Sequence, residues 1–294
     1  MRGRFDRSAA SRGAVLTERD MAIVEAVFLA RYLTLDLICQ VFFSQGARSS
    51  AKRRTRILFD RRFLDKRRAS PNAPDVYYLG MRGVRHVEDL VGDGRFGGDF
   101  DVASVGKIRG VSGAGADNPD LFLVHELALS RVYVDAMLEA RRQGMGLRWL
   151  PARALELRKL GFEPDAFLDA TYVDSEGRKR GKAAFVEFTQ VLPKDLPAYV
   201  AERQRYLALK KCRGDFGVGS ASFLWLTTSR AKRQKILDVI SQTVQRDWWH
   251  AWYAALWPDV RGLVLTGAVW EGVSSEERAA FLTLKREKSE TVAR

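Results

Sequence analysis

Two short extended runs, residues 63–68 and 75–79, face each other across Ala69-Ser70-Pro71-Asn72-Ala73-Pro74, and this joint limits the fold more than any other stretch. Pro71 and Pro74 lack an amide proton and disfavour helix in the residue before each, so no helix passes through. Asn72 suits a turn, and the segment reads as a β-hairpin. Three helical patterns lead into it. Over 17–31, Thr17 holds an N-cap position with Asp20 three residues on, and Met21, Val24, Val27 and Phe28 recur at helical spacing. Thr34 opens a second pattern carrying Leu35, Ile38, Val41 and Phe42, which Ser44-Gln45-Gly46 closes. The third, 49–59, places Ala51, Thr55 and Leu58 on one side and displays Lys52, Arg53 and Arg56 on the others.

Three helices, a Gly-containing turn before the third, and a hairpin are the order of a winged helix-turn-helix. In that motif the third helix enters the major groove and the hairpin meets backbone or minor groove. Residues 80–91 read as one more helix closing a domain over 1–91.

The charge falls on the same elements. The chain carries 49 Lys+Arg against 36 Asp+Glu, a net charge of +13. Between Arg48 and Arg68 ten basic residues meet only Asp60 and Asp65, leaving +8 in 21 residues. A focused patch of this kind is the footprint of phosphate contact. Arg48, Lys52, Arg53, Arg54, Arg56, Lys66, Arg67 and Arg68 are the expected DNA contacts, with Ser49 and Ser50 at a helix start where backbone amides can meet a phosphate.

Two cysteines, Cys39 and Cys212, are too few for a disulfide framework or a cysteine-rich metal site. His86, His125 and His250 lack ligand spacing. No run of about 18 apolar residues spans a membrane, and the first residues hold no apolar signal core. A cytoplasmic protein that meets DNA and no membrane is expected.

Eight of the 24 glycines lie between Gly92 and Gly115, without sustained periodicity, so 92–118 reads as a linker. Beyond it come a helix over 121–142 and a strand near 147–150. Strands over 165–172 and 183–191 follow, joined by the turn residues Asp174-Ser175-Glu176-Gly177. A helix at 195–211, a buried strand at 222–227, a helix at 230–245 and a last strand near 262–268 complete an α/β layer with a mixed sheet, spanning 119–275. Five of the seven tryptophans lie between Trp248 and Trp270, and Trp248, Trp249, Trp252 and Trp257 cannot share one helix stripe. Residues 276–294 read as a charged tail.

This order matches the core of the PD-(D/E)xK, or restriction-endonuclease-like, fold. Asp165 opens one strand and Glu187 sits on the next, where paired carboxylates can hold Mg²⁺ and activate water. Glu126 is a third acidic candidate. Where the motif has lysine this chain has Thr189, followed by Gln190. Two readings stay open: a nuclease-like fold kept for binding or assembly, needing no cofactor, and a Mg²⁺-dependent endonuclease with Glu126, Asp165, Glu187 and Gln190 as its catalytic set.

The ordered motifs Leu16-Thr17-Glu18-Arg19-Asp20, Tyr32-Leu33-Thr34, Val41-Phe42-Phe43, His125-Glu126-Leu127-Ala128, Val132-Tyr133-Val134, Pro164-Asp165-Ala166 and Phe185-Val186-Glu187 resemble the plasmid replication-relaxation family. The resemblance implies an amino-terminal winged helix, a carboxyl-terminal nuclease-like domain and a DNA-binding role in replication or conjugative transfer on bacterial mobile elements. DNA, a second copy in a homodimer, and other replication or transfer proteins are the partners it suggests. The chain departs from the family at Phe188-Thr189-Gln190, where Val-Asp-Arg-Gly is usual, and at Arg62-Phe63-Leu64, where Gly-Leu-Leu is usual.

Overall fold

The computed structural model describes residues 6–8, 13–68, 72–106, 119–154, 157, 160–173, 176–209, 211–273 and 278–281. The chain is a mixed α/β protein of two compact units, residues 1–134 with 149–166 and residues 135–148 with 167–294. No helix among the described residues is long and apolar enough to cross a membrane.

The first unit begins α1 (Glu18–Ala30), β1 (Leu33–Thr34), α2 (Leu35–Phe42), α3 (Arg48–Asp60), β2 (Leu64–Arg67), β3 (Val76–Leu79), α4 (Met81–Gly92) and α5 (Val102–Gly106). Its three strands form an antiparallel sheet in the order β1-β3-β2. Helix α1 starts where the sequence places it. The Asp20 amide donates to the Thr17 hydroxyl at 3.3 Å, and the Thr17 amide donates to the Asp20 carboxylate at 2.7 Å. Ile23, Val24, Val27 and Phe28 then form one buried stripe. Thr34 caps α2 by accepting from the Leu37 amide.

Helix α3 buries Ala51, Thr55, Leu58 and Phe59. It ends in a Schellman turn: the Phe63 amide reaches the Leu58 carbonyl at 2.9 Å, and Arg62 reaches Phe59 at 3.0 Å. Arg62 adopts φ 64°, the left-handed region that favours glycine. Helix α4 then comes close to this turn, because Gly80 and Gly83 carry no side chain against the carbonyls of Arg62 and Phe63.

The glycine-rich stretch is folded in its first part. Phe96 and Phe100 pack on Phe28, with ring centroids 5.3 and 4.7 Å away. Residues 107–118 lie outside the described residues, as do 69–71 of the hairpin joint. Helix α6 (Pro119–Arg142) follows, and the boundary between the units falls within its span.

The larger sheet has seven strands in the order β10-β9-β8-β7-β6-β5-β4. They are β4 (Gly146–Pro151), β5 (Ala166–Val173), β6 (Lys179–Thr189), β7 (Ala221–Thr227), β8 (Trp252–Leu256), β9 (Ala268–Gly272) and β10 (Arg278–Ala280). Strands β6, β7 and β8 run parallel, whereas β9 and β10 are antiparallel to their neighbours. Parallel neighbours need long crossovers, supplied by α7 (Leu196–Ala208) with α8 (Cys212–Phe216), and by α9 (Arg230–Thr243). Asp195 caps α7 and Ser229 caps α9. Phe185, Phe223 and Trp252 stack across the three parallel strands at 5.0 and 4.6 Å.

The tryptophan run, to which the sequence reading assigns no element, holds a strand: Arg246–Ala251 is a 3-10 turn and Trp252 opens β8, fully buried. A strand enclosed on both faces is apolar throughout and carries no alternation to betray it. The strand expected near 262–268 is a loop, with β9 starting at Ala268. Leu265 is buried there because the Glu139 carboxylate accepts the amides of Leu265 and Thr266 at 2.7 and 2.8 Å. In the stretch expected as tail, residues 278–280 form β10 on β9, and 282–294 lie outside the described residues.

Candidate nucleic-acid interface

The basic run divides into side chains turned inward and side chains left in solvent. Arg54 is turned inward. Its Nε donates to Asp20 Oδ1 at 2.9 Å, its Nη2 to Asp20 Oδ2, and Nη2 also to the Val15 carbonyl at 3.0 Å. Arg56 spans one turn to Asp60, with Nε–Oδ2 of 3.1 Å. Lys66 and Arg68 share the Asp75 carboxylate at 3.2 and 2.8 Å, one strand across. Arg48 pairs with Asp36, and both remain more than half exposed.

Lys52 and Arg53 are exposed on consecutive positions of α3, and neither has an ion-pair partner among the described residues. Arg62 is exposed at the end of the same helix, and Arg67 is half-buried on β2, again without an ion-pair partner among the described residues. Ser49 and Ser50 are exposed in the first turn of α3. Ala47, at the N-cap position, supplies no side-chain cap, and no acidic residue lies in that turn. The helix start therefore keeps amide donors and the positive end of its dipole for an anion.

Sequence reasoning counted Arg62 in the basic run but overlooked Arg82 and Arg85 as solvent-facing cations. Arg82 and Arg85 are exposed on α4, three residues apart and so on one face. The Arg82 amide donates to the Arg62 carbonyl at 2.9 Å, and its guanidinium lies over Phe63 at 4.9 Å. The i,i+3 spacing was the available signal.

Of the acidic candidates, Glu126 and Asp165 line one cavity of about 460 Å³ in the first unit. His125 stands between them, its Nε2 at 3.3 Å from Asp165 Oδ2 and its Nδ1 at 3.9 Å from Glu126 Oε1. Arg31 Nη1 lies 3.3 Å from the same Glu126 oxygen. Both carboxylates thus already face cationic or imidazole nitrogens.

Glu187 belongs to the second unit and is buried in β6. Arg203 Nε donates to its Oε1 at 2.7 Å, and the Tyr199 hydroxyl donates to its Oε2 at 2.8 Å. The guanidinium paired with this carboxylate is itself only 1 % exposed. The donor set expected for Mg²⁺ does not fit that ion here, since Glu187 is already neutralised. Gln190 is half-buried just past β6, and its carbonyl accepts from Lys232 Nζ. Among the described residues, no group of three His, Cys, Asp or Glu side chains could hold a metal ion.

Comparison with protein-family models, with curated proteins and with solved structures finds no match to this chain.

Proposed function

We propose that this chain is a DNA-binding protein whose first unit is a winged helix-turn-helix, with α3 as the groove helix and the β2–β3 hairpin as the wing. The order α1-β1-α2-α3-β2-β3, with β1 closing the small sheet, supports that reading. The observation that carries it is the Lys52–Arg53 pair, exposed on α3 and without an ion-pair partner among the described residues, while neighbouring cations are drawn into internal pairs. Charge left unpaired on one helix face is available to phosphates.

The second unit we read as a nuclease-like fold that serves self-association or protein contact and does not cut. The Arg203–Glu187 pair supports this, because it consumes the carboxylate that hydrolysis would require. The resemblance of the ordered motifs to the replication-relaxation family supports a setting in plasmid or mobile-element replication, transfer or transcriptional control.

One gel tests both parts. Supercoiled plasmid is incubated with the protein in Mg²⁺ or Mn²⁺ at low salt and resolved before and after proteinase treatment. Retardation that reverts to intact supercoil is the expected result. Nicked or linear product that survives proteinase and disappears in EDTA would replace the binding-only reading with an endonuclease. No retardation at low salt would remove DNA binding altogether.

A further inference from the structure

The cavity in the first unit contains a cation with no use in the reading above. Arg153 lies in its wall, and its Nε and Nη2 are both buried without a hydrogen-bond partner. These two nitrogens form one edge of the guanidinium, the fork that grips a carboxylate or phosphate through two parallel hydrogen bonds. The face of the same group is occupied by Phe28, 5.2 Å from ring centroid to Cζ, so the edge is what remains. Leaving two buried donors unmet is costly, and native proteins rarely tolerate it without a ligand or water.

The surrounding charges do not fill the fork. Glu126 is held by Arg31, and Asp165 faces His125. Glu163 stands exposed at the rim. The rest of the wall is largely apolar, with Leu129, Trp149 and Leu157 all buried. A volume of about 460 Å³ lies in the range of small-molecule sites and exceeds what a bare oxyanion needs.

We propose that this cavity binds a small organic anion, its carboxylate or phosphate group on the Nε–Nη2 edge of Arg153 and its apolar body against Leu129, Trp149 and Leu157. A duplex phosphate is a poor occupant, because buried nitrogens cannot be reached without sugar and base entering as well. Burial, with the nearby Arg31, pushes the Arg153 pKa down to about 9, a penalty that a bound anion relieves.

Calorimetric titration of the full chain with benzoate, phenyl phosphate and inorganic phosphate tests the site. Saturable one-to-one binding of benzoate or phenyl phosphate, at least about tenfold tighter than inorganic phosphate, is expected, each factor of ten being 1.4 kcal/mol. Comparison of benzoate with phenyl phosphate assigns the head group. Arg153→Lys keeps the charge but loses the fork, and should weaken binding about tenfold or more. Leu129→Trp leaves Arg153 in place, fills the cavity and should abolish binding, which covers the case in which the lysine variant does not fold. Absence of saturable heat with any of the three anions up to about 10 mM would overturn the proposal, as would binding unchanged in folded Arg153→Lys or Leu129→Trp protein.

Discussion

Asp20 of α1 and Arg54 of α3 meet at two points, Nε to Oδ1 at 2.9 Å and Nη2 to Oδ2, around a carboxylate that is fully buried. The same carboxylate accepts the Thr17 amide at 2.7 Å and its hydroxyl at 2.9 Å, so the group that caps α1 also ties α3 to it. Removing the arginine leaves a buried charge with only its cap donors. Arg54→Met is therefore expected to destabilise the protein by about 3–5 kcal/mol, as loss of one partner of a buried pair does. Arg53→Met, one position along and in solvent, should stay within about 0.5 kcal/mol of the parent. Urea unfolding of the two variants checks the contrast, and equal midpoints would show that the Asp20 pair is not structural.

The pair also sets a pH dependence. Burial pushes the Asp20 pKa up, but the hydrogen bonds from Arg54 and Thr17 outweigh it and hold the carboxyl below its ordinary value of 3.8. A group whose pKa is depressed in the folded state stabilises the fold above its unfolded value, and that contribution is lost as pH falls through the folded value. The loss from this residue thus begins near pH 3.8 and continues below it. Stability measured between pH 6 and pH 2 should fall less steeply at the acid end in Asp20→Asn than in the parent, from a lower starting level. Parallel curves would remove Asp20 from the acid transition.

What the sequence shows and what it hides follow from range. Thr17 with Asp20, and Thr34, mark helix starts because a cap and its amide are three residues apart, and such local chemistry is visible in a linear string. The basic density of α3 and β2 is visible for the same reason. Its division into inward and outward cations is not, since Arg54 finds Asp20 34 residues away. Glu187 looked available on its strand because Arg203, 16 residues on, comes back over it only when α7 folds. Strand β8 was hidden by a different cause: Trp252-Tyr253-Ala254-Ala255-Leu256 is apolar throughout, and such a run suits a buried strand or helix equally.

The turn after α3 carries a residue whose side chain opposes its backbone. Arg62 sits at φ 64°, where a Cβ costs roughly 1 kcal/mol relative to glycine. Arg62→Gly should raise stability by about 0.5–1 kcal/mol while removing one exposed charge. Gly83→Ala should act in the opposite sense, because its Cβ would lie 2.2 Å from the Phe63 carbonyl oxygen. Backbone on both sides must then shift, and a loss of about 2 kcal/mol or more is expected. Thermal unfolding of the two variants tests the close approach of α4 to this turn.

In the second unit, Glu187 and Arg203 form a buried pair that ties β6 to α7. Glu187→Gln should cost about 3–5 kcal/mol, since Arg203 keeps its charge in a site that is 1 % exposed. The double variant Glu187→Leu/Arg203→Met, which removes both charges, should lose clearly less than the two single losses added together. A catalytic role predicts the reverse, a single variant that unfolds like the parent and loses only cleavage. Guanidinium unfolding of the four proteins of this cycle separates the two.

The salt dependence of binding tests the assignment of cations on α3 most directly. Each phosphate neutralised on duplex DNA contributes a slope of about −0.9 in log K against log salt. Lys52→Ala/Arg53→Ala removes two exposed charges that have no ion-pair partner among the described residues, so the magnitude of the slope should fall by about 1.8 if both contact phosphate. Arg56→Ala removes a charge already paired with Asp60 at 3.1 Å and should change the slope by less than one contact. Affinity measured by fluorescence anisotropy over a range of salt concentrations gives both numbers. A slope unchanged in the Lys52/Arg53 double variant would move the interface off this face of α3, whatever the total charge of the chain.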